Sequence, residues 1–87
     1  MSTNIETMLD EREKRYGSFK NHSELSIALK NVLRREEKFH KMEPFKQEAL
    51  DMICHKVARI LNGDSDYDDN WVDVSGYSEL VVRELKK

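Results

Sequence analysis

The sequence predicts an all-α protein: a single helical domain over residues 1–87, folded as an antiparallel bundle of about four helices that oligomerises. Three observations carry this expectation. Apolar residues recur every three or four positions in four separate segments, which is the spacing of one helix face. One Pro and three Gly leave few interior breaks, and no stretch alternates apolar and polar residues for long enough to make a strand. A chain of 87 residues buries only ~60–65% of the surface it exposes when unfolded, so its core is thin and a second copy is an economical cover.

The first helix is expected from about Asn4 to Arg15, on Ile5, Met8, Leu9 and Tyr16. Thr3 and Glu6 form a capping box before it, Gly17 stops it, and Phe19 falls in the connection. The second runs from about Ser23 to His40. Asn21 and Glu24 cap it, and Leu25, Ala28, Leu29, Val32, Leu33 and Phe39 form its stripe; its charged end, "RREEKFHK", reads as a solvated face. The third begins at Glu43-Pro44, since Pro suits a first helical turn, and ends before Gly63. Its broad apolar face (Phe45, Ala49, Met52, Ile53, Val57, Ile60, Leu61) marks it as the central helix. The fourth starts near Asp69 or Asn70, with Trp71, Val74, Ser78, Val81 and Leu85 as its buried stripe. Gly76 in its middle costs ~1 kcal/mol relative to Ala and points to close approach of another backbone.

Composition narrows the classes of function. Fifteen Lys and Arg stand against 17 Asp and Glu, and the net charge of -2 gives no general attraction for nucleic acid or anionic membrane. No apolar run approaches the ~20 residues of a membrane span, and "MSTNIETML" lacks the regions of a signal peptide. Cys54 is alone in an apolar pattern, which fits a reducing cytosol and a core residue rather than a disulfide.

Five aspartates crowd Asp64 to Asp73, beside the single Trp. Asp64, Asp66 and Asp68 begin like a calcium loop, but Asp69 and Ser75 occupy the positions where that loop needs Gly and Glu. Glu48, Asp51, His55, Arg59 and Asn62 step by three or four along the third helix, with Lys56 beside them. On the fourth, Asp69, Asp73 and Tyr77 step by four. Were these stripes to face each other, carboxylates from two helices would converge with Lys56 and Arg59. Mg²⁺ takes oxygen ligands of that kind together with phosphate oxygens, and cations neutralise the remaining phosphate charge. The plainer reading stays open beside it: solvated charges on one helix, and an Asn70–Asp73 capping box on the next. Trp71 reads as a core residue.

"KRYGSF" (Lys14 to Phe19), "HKVARI" (His55 to Ile60) and "DNWVDVSGY" (Asp69 to Tyr77) together resemble a family of small phage and prophage proteins. That family is distantly similar to the all-α nucleoside triphosphate pyrophosphohydrolases of the MazG type, which hold Mg²⁺ with an E-x-x-E and an E-x-x-D on successive helices. The resemblance implies Glu48 and Asp51 as the first pair and Asn70 and Asp73 as the second. Asp51 departs from the first pattern and Asn70 from the second, where Asp69 would compensate.

Two functions follow as expectations. The first is a phage-type protein of the bacterial cytoplasm that binds a nucleotide with Mg²⁺ as cofactor, with hydrolysis left open. Glu48, Asp51, Asp69 and Asp73 would hold metal, Lys56 and Arg59 phosphate, and His55, Asn70 and Tyr77 would line the site. The second is a non-enzymatic module that docks on a host protein and modulates it. Either protein would be a homo-oligomer, most simply a dimer.

Overall fold

The structure is a computed structural model that describes residues 2–87, with side chains from Asn4 onward. Five helices follow in order: α1 (Ser2–Tyr16), α2 (Phe19–Arg34), α3 (Glu37–Lys41), α4 (Pro44–Asn62) and α5 (Asp68–Leu85). No strand occurs among the described residues. The all-α expectation holds, with one helix more than anticipated, and the helices pack against each other as a bundle.

α4 is central, as its length and apolar content implied. α5 packs along one side, with Lys56 meeting Asp73 and with Ala49 and Tyr77 lining one groove, so the two run antiparallel. α2 packs along the other side, where Asn21 meets Asn62 and Arg34 meets Asp51, again antiparallel. α1 lies across the end of this pair and makes the lighter contacts.

The first departure is at the start of α2. Phe19 opens the helix rather than preceding it, because Ser18 serves as the cap: its hydroxyl accepts the Asn21 N–H at 3.2 Å. The side chain of Thr3, half of the capping box expected for α1, lies outside the described residues.

The second departure breaks the expected Ser23–His40 helix at Arg35-Glu36. The turn drives Phe39 into the core, where it is one of the few fully buried apolar residues. It also satisfies the freed ends: His40 Nε2 donates to the Arg34 carbonyl at 2.9 Å, and Gln47 Nε2 donates to the Phe39 carbonyl at 2.8 Å. Burying a Phe is worth ~2 kcal/mol, enough to outweigh the one turn of helix given up.

Apart from Phe39, the core is thin and made of small or polar residues. Ala49 and Ala58 are buried with Phe39, and so are His22, Ser26, Lys56 and Asn70. Small residues at Ala58, Ala49 and Ser26 let the helix axes approach, leaving the larger apolar side chains of α4 half-covered. Trp71, expected inside, is 56% exposed. α5 is turned so that Asn70, not Trp71, meets α4, and the indole N–H donates instead to the Ser65 carbonyl at 2.9 Å. No helix among the described residues is long and apolar enough to cross a membrane.

Candidate functional site

The geometry of the site begins at a clasp between two turns. Gly17 has φ +78°, a conformation that favours glycine, and a Cβ there would stand 2.2 Å from the Asn62 carbonyl oxygen. Opposite, a Cβ on Gly63 would stand 2.0 Å from the Arg15 carbonyl oxygen. Asn62 locks the pair: its Nδ2 donates to the carbonyls of Tyr16 (2.7 Å) and Ser18 (2.9 Å), and its Oδ1 accepts from Asn21 Nδ2. The Asp64 N–H closes onto the Arg15 carbonyl at 2.7 Å. The Tyr-Gly of the first motif is thus explained locally: the last turn of α1 is pinned to the last turn of α4.

Pinning those ends presents a cleft of about 500 Å³ between α1, α2 and α4. Tyr16 and Phe19 supply its aromatic walls, Arg12 and Arg59 its cations, and His22 and His55 its floor. The Arg59 guanidinium lies 4.1 Å from the centroid of the Tyr16 ring, a cation–π stack. Among the described residues no carboxylate is within ion-pair distance of Arg12 or Arg59. Phe19 is 82% exposed at the cleft mouth.

The two imidazoles meet edge to face with centroids 4.6 Å apart. Burial, then the charge of Arg59, pushes His55 down to about 4. Burial, then the same guanidinium, lowers His22 as well. Both rings are therefore neutral at pH 7, each with one donor and one acceptor nitrogen. Nδ1 of the buried His22 has no hydrogen-bond partner in the protein. Such a buried atom is costly to leave unmatched.

The second polar seam lies on the opposite side of α4. Lys56 is buried and its Nζ is 2.9 Å from the half-exposed Asp73 carboxylate. Asn70 is 1% exposed beside it, with its Nδ2 unpartnered. Around them Asp64 and Asp69 are engaged separately. Asp64 accepts the Asp66 N–H in a tight turn, and Asp69 accepts the Tyr67 hydroxyl at 2.8 Å, which raises the Tyr67 phenol.

The structure brings some of the anticipated residues together and separates others. Lys56 meets Asp73, as the spacing suggested. His55 and Arg59 share the cleft. Glu48 and Tyr77 line a shallow groove with Phe45 between α4 and α5. The four carboxylates expected to hold Mg²⁺ do not converge. Asp51 is held by Arg34 through two 2.8 Å bonds, which lower its carboxyl and raise the guanidinium. Asp73 belongs to Lys56, Asp69 to Tyr67, and Glu48 is exposed. Among the described residues no three His, Cys, Asp or Glu side chains gather in a way that would hold a metal ion. The cause is largely rotational: Asp51, His55 and Asn62 of α4 face α2, while Lys56 faces α5 and takes Asp73, and Glu48 lies two turns before Lys56 in a separate groove with Tyr77. The capping box expected of Asn70 and Asp73 is absent too. Both lie past the first residue of α5, Asn70 is buried, and Asp73 is committed to Lys56.

Sequence reasoning missed Arg12, Tyr16, Phe19 and His22 as site residues. Their one signal was the Tyr-Gly pair, which marks a special backbone without saying what it is held against.

A family model described as "Domain of unknown function (DUF6378)" matches residues 1–84, and the chain belongs to that family. No curated protein matches the chain, and no solved structure does.

Proposed function

We propose that this family member is a binding protein for a nucleotide or a closely related phosphate-bearing ring compound, held in the cleft between α1, α2 and α4. The observation that carries the reading is the pair of guanidinium groups, Arg12 and Arg59, with no ion-pair partner among the described residues, in a cleft lined also by aromatic rings, a neutral imidazole pair and Glu13. Guanidinium groups bind phosphate oxygens through paired donors. Tyr16 and the exposed Phe19 offer faces for a base. His22 and His55 supply hydrogen bonds without adding charge.

The Mg²⁺ of the earlier expectation enters here with the ligand's phosphates rather than on a resident set of side chains. Glu48, Asp51, Asp69 and Asp73 stand apart in the single chain, so no hydrolytic step is derived through them. A phage-type setting in the bacterial cytoplasm rests on the resemblance of the three motifs. The molecule acts as a self-associated assembly, a reading supported by the large apolar side chains that one chain leaves uncovered on α1, α2 and α5. Those same side chains favour the second reading, a module that docks on a host protein and modulates it.

Calorimetric titration with a panel of nucleotides, with and without Mg²⁺, tests the first reading. Binding that weakens about tenfold or more in Arg59→Gln is expected, in line with the loss of a charge-assisted phosphate contact. Absence of binding by the unaltered protein would reject it in favour of host-protein docking.

A further inference from the structure

α5 presents a second face that nothing among the described residues covers. Asn70, Asp73, Tyr77 and Val81 turn towards α4 or its grooves. On the other side Val72 and Leu80 are 61% and 55% exposed and flank Gly76, and a shallow groove runs along them. A Cβ on Gly76 would meet nothing within 4 Å. Gly is unfavourable in mid-helix relative to Ala, so this position carries a cost that no contact within the chain explains.

We propose that this face is the self-association surface: two copies pack their α5 helices antiparallel across a two-fold axis at Gly76. The inference rests on the self-association put forward above but not on the ligand cleft, which lies on α1, α2 and α4. In such an isologous pair, residues equally far before and after Gly76 face each other. Leu80 then packs on the partner's Val72, and the glycines let the helix axes close at the crossing. Arg83, seven residues after Gly76, meets the partner's Asp69, seven before it. The acidic start of α5, preceded by Asp64 and Asp66, lies against an end carrying Arg83, Lys86 and Lys87 together with Glu79 and Glu84. Within the chain Arg83 pairs with Glu79 at 3.5 Å and Lys87 with Glu84, so Arg83 exchanges an exposed intrahelical pairing for the partner's Asp69. Asp73 would face the partner's Glu79, and its charge is already matched by Lys56. A surplus of aspartates at one end of a helix and a small excess of cations at the other favours an antiparallel pair of identical helices.

Analytical ultracentrifugation with circular dichroism tests this. The unaltered protein is expected at twice 10.3 kDa, and Gly76→Trp at 10.3 kDa with its helical spectrum intact, since the site is open in the free chain. Arg83→Asp and Asp69→Arg should each weaken the dimer by roughly tenfold in Kd, and the double exchange should recover most of the loss. A dimer that survives Gly76→Trp would overturn this interface while leaving self-association standing. A 10.3 kDa species at all concentrations would overturn both. In either case nucleotide titration of the cleft is judged separately.

Discussion

Lys56 and Asp73 show how one side-chain pair changes the meaning of a motif. Asp73 is tied to a buried ammonium rather than to a helix end or a neighbouring acid. Removing it leaves Lys56 buried without its counter-charge, whereas removing Lys56 leaves a carboxylate that water can still reach. Asp73→Asn should therefore destabilise the fold by about 1–3 kcal/mol, between the values for exposed and buried pairs. Urea denaturation measures it, and a neutral or stabilising effect would refute the pairing. The imidazoles give a pH prediction. His55 titrates at about 4 in the folded chain and His22 is also lowered, while both are ordinary when unfolded. The unfolded chain thus binds more protons below pH ~6.5. The stability held by the neutral rings is full above that pH and declines as pH falls towards about 4. Unfolding midpoints at pH 7.5 and pH 5 should show this loss, and His55→Gln should flatten it.

Helix boundaries were legible where a residue's own backbone chemistry decides them. Gly17, Pro44 and Gly63 mark ends that the structure keeps. The break at Arg35-Glu36 was not legible, because nothing in "LRREEKFH" disfavours helix locally; the burial of Phe39, a tertiary effect, decides it. Phe39→Ala should cost about 3–4 kcal/mol, as for other buried aromatic truncations, and thermal unfolding checks it. Helical phase showed correctly that Asp51, His55, Arg59 and Asn62 share one side of α4. Phase does not say which neighbour that side meets, and α2 took the place assigned to α5. This is why the acidic stripes were expected to converge and do not. The clasp is the other element-scale feature. Gly17→Ala combines a positive φ with a clash against the Asn62 carbonyl, and should destabilise by about 2 kcal/mol or more.

At the scale of the molecule, the chain is elongated. Its radius of gyration is 15.0 Å and its extents are 45 × 27 × 26 Å, against about 12 Å for the radius of a compact chain of this length. The thin core expected from 87 residues is what the structure shows, and the large apolar residues it leaves bare fall on α1, α2 and α5, with Leu61 at the end of α4. Binding in the cleft is the central claim, and chemical-shift mapping by NMR tests it most directly. On adding a nucleoside triphosphate, backbone and side-chain signals of Tyr16, His22, His55 and Arg59 should move together and saturate, while Asp73, Glu79 and Glu84 of α5 stay in place. Shifts centred on the aspartates of α5, or no saturable shifts at all, would contradict the account.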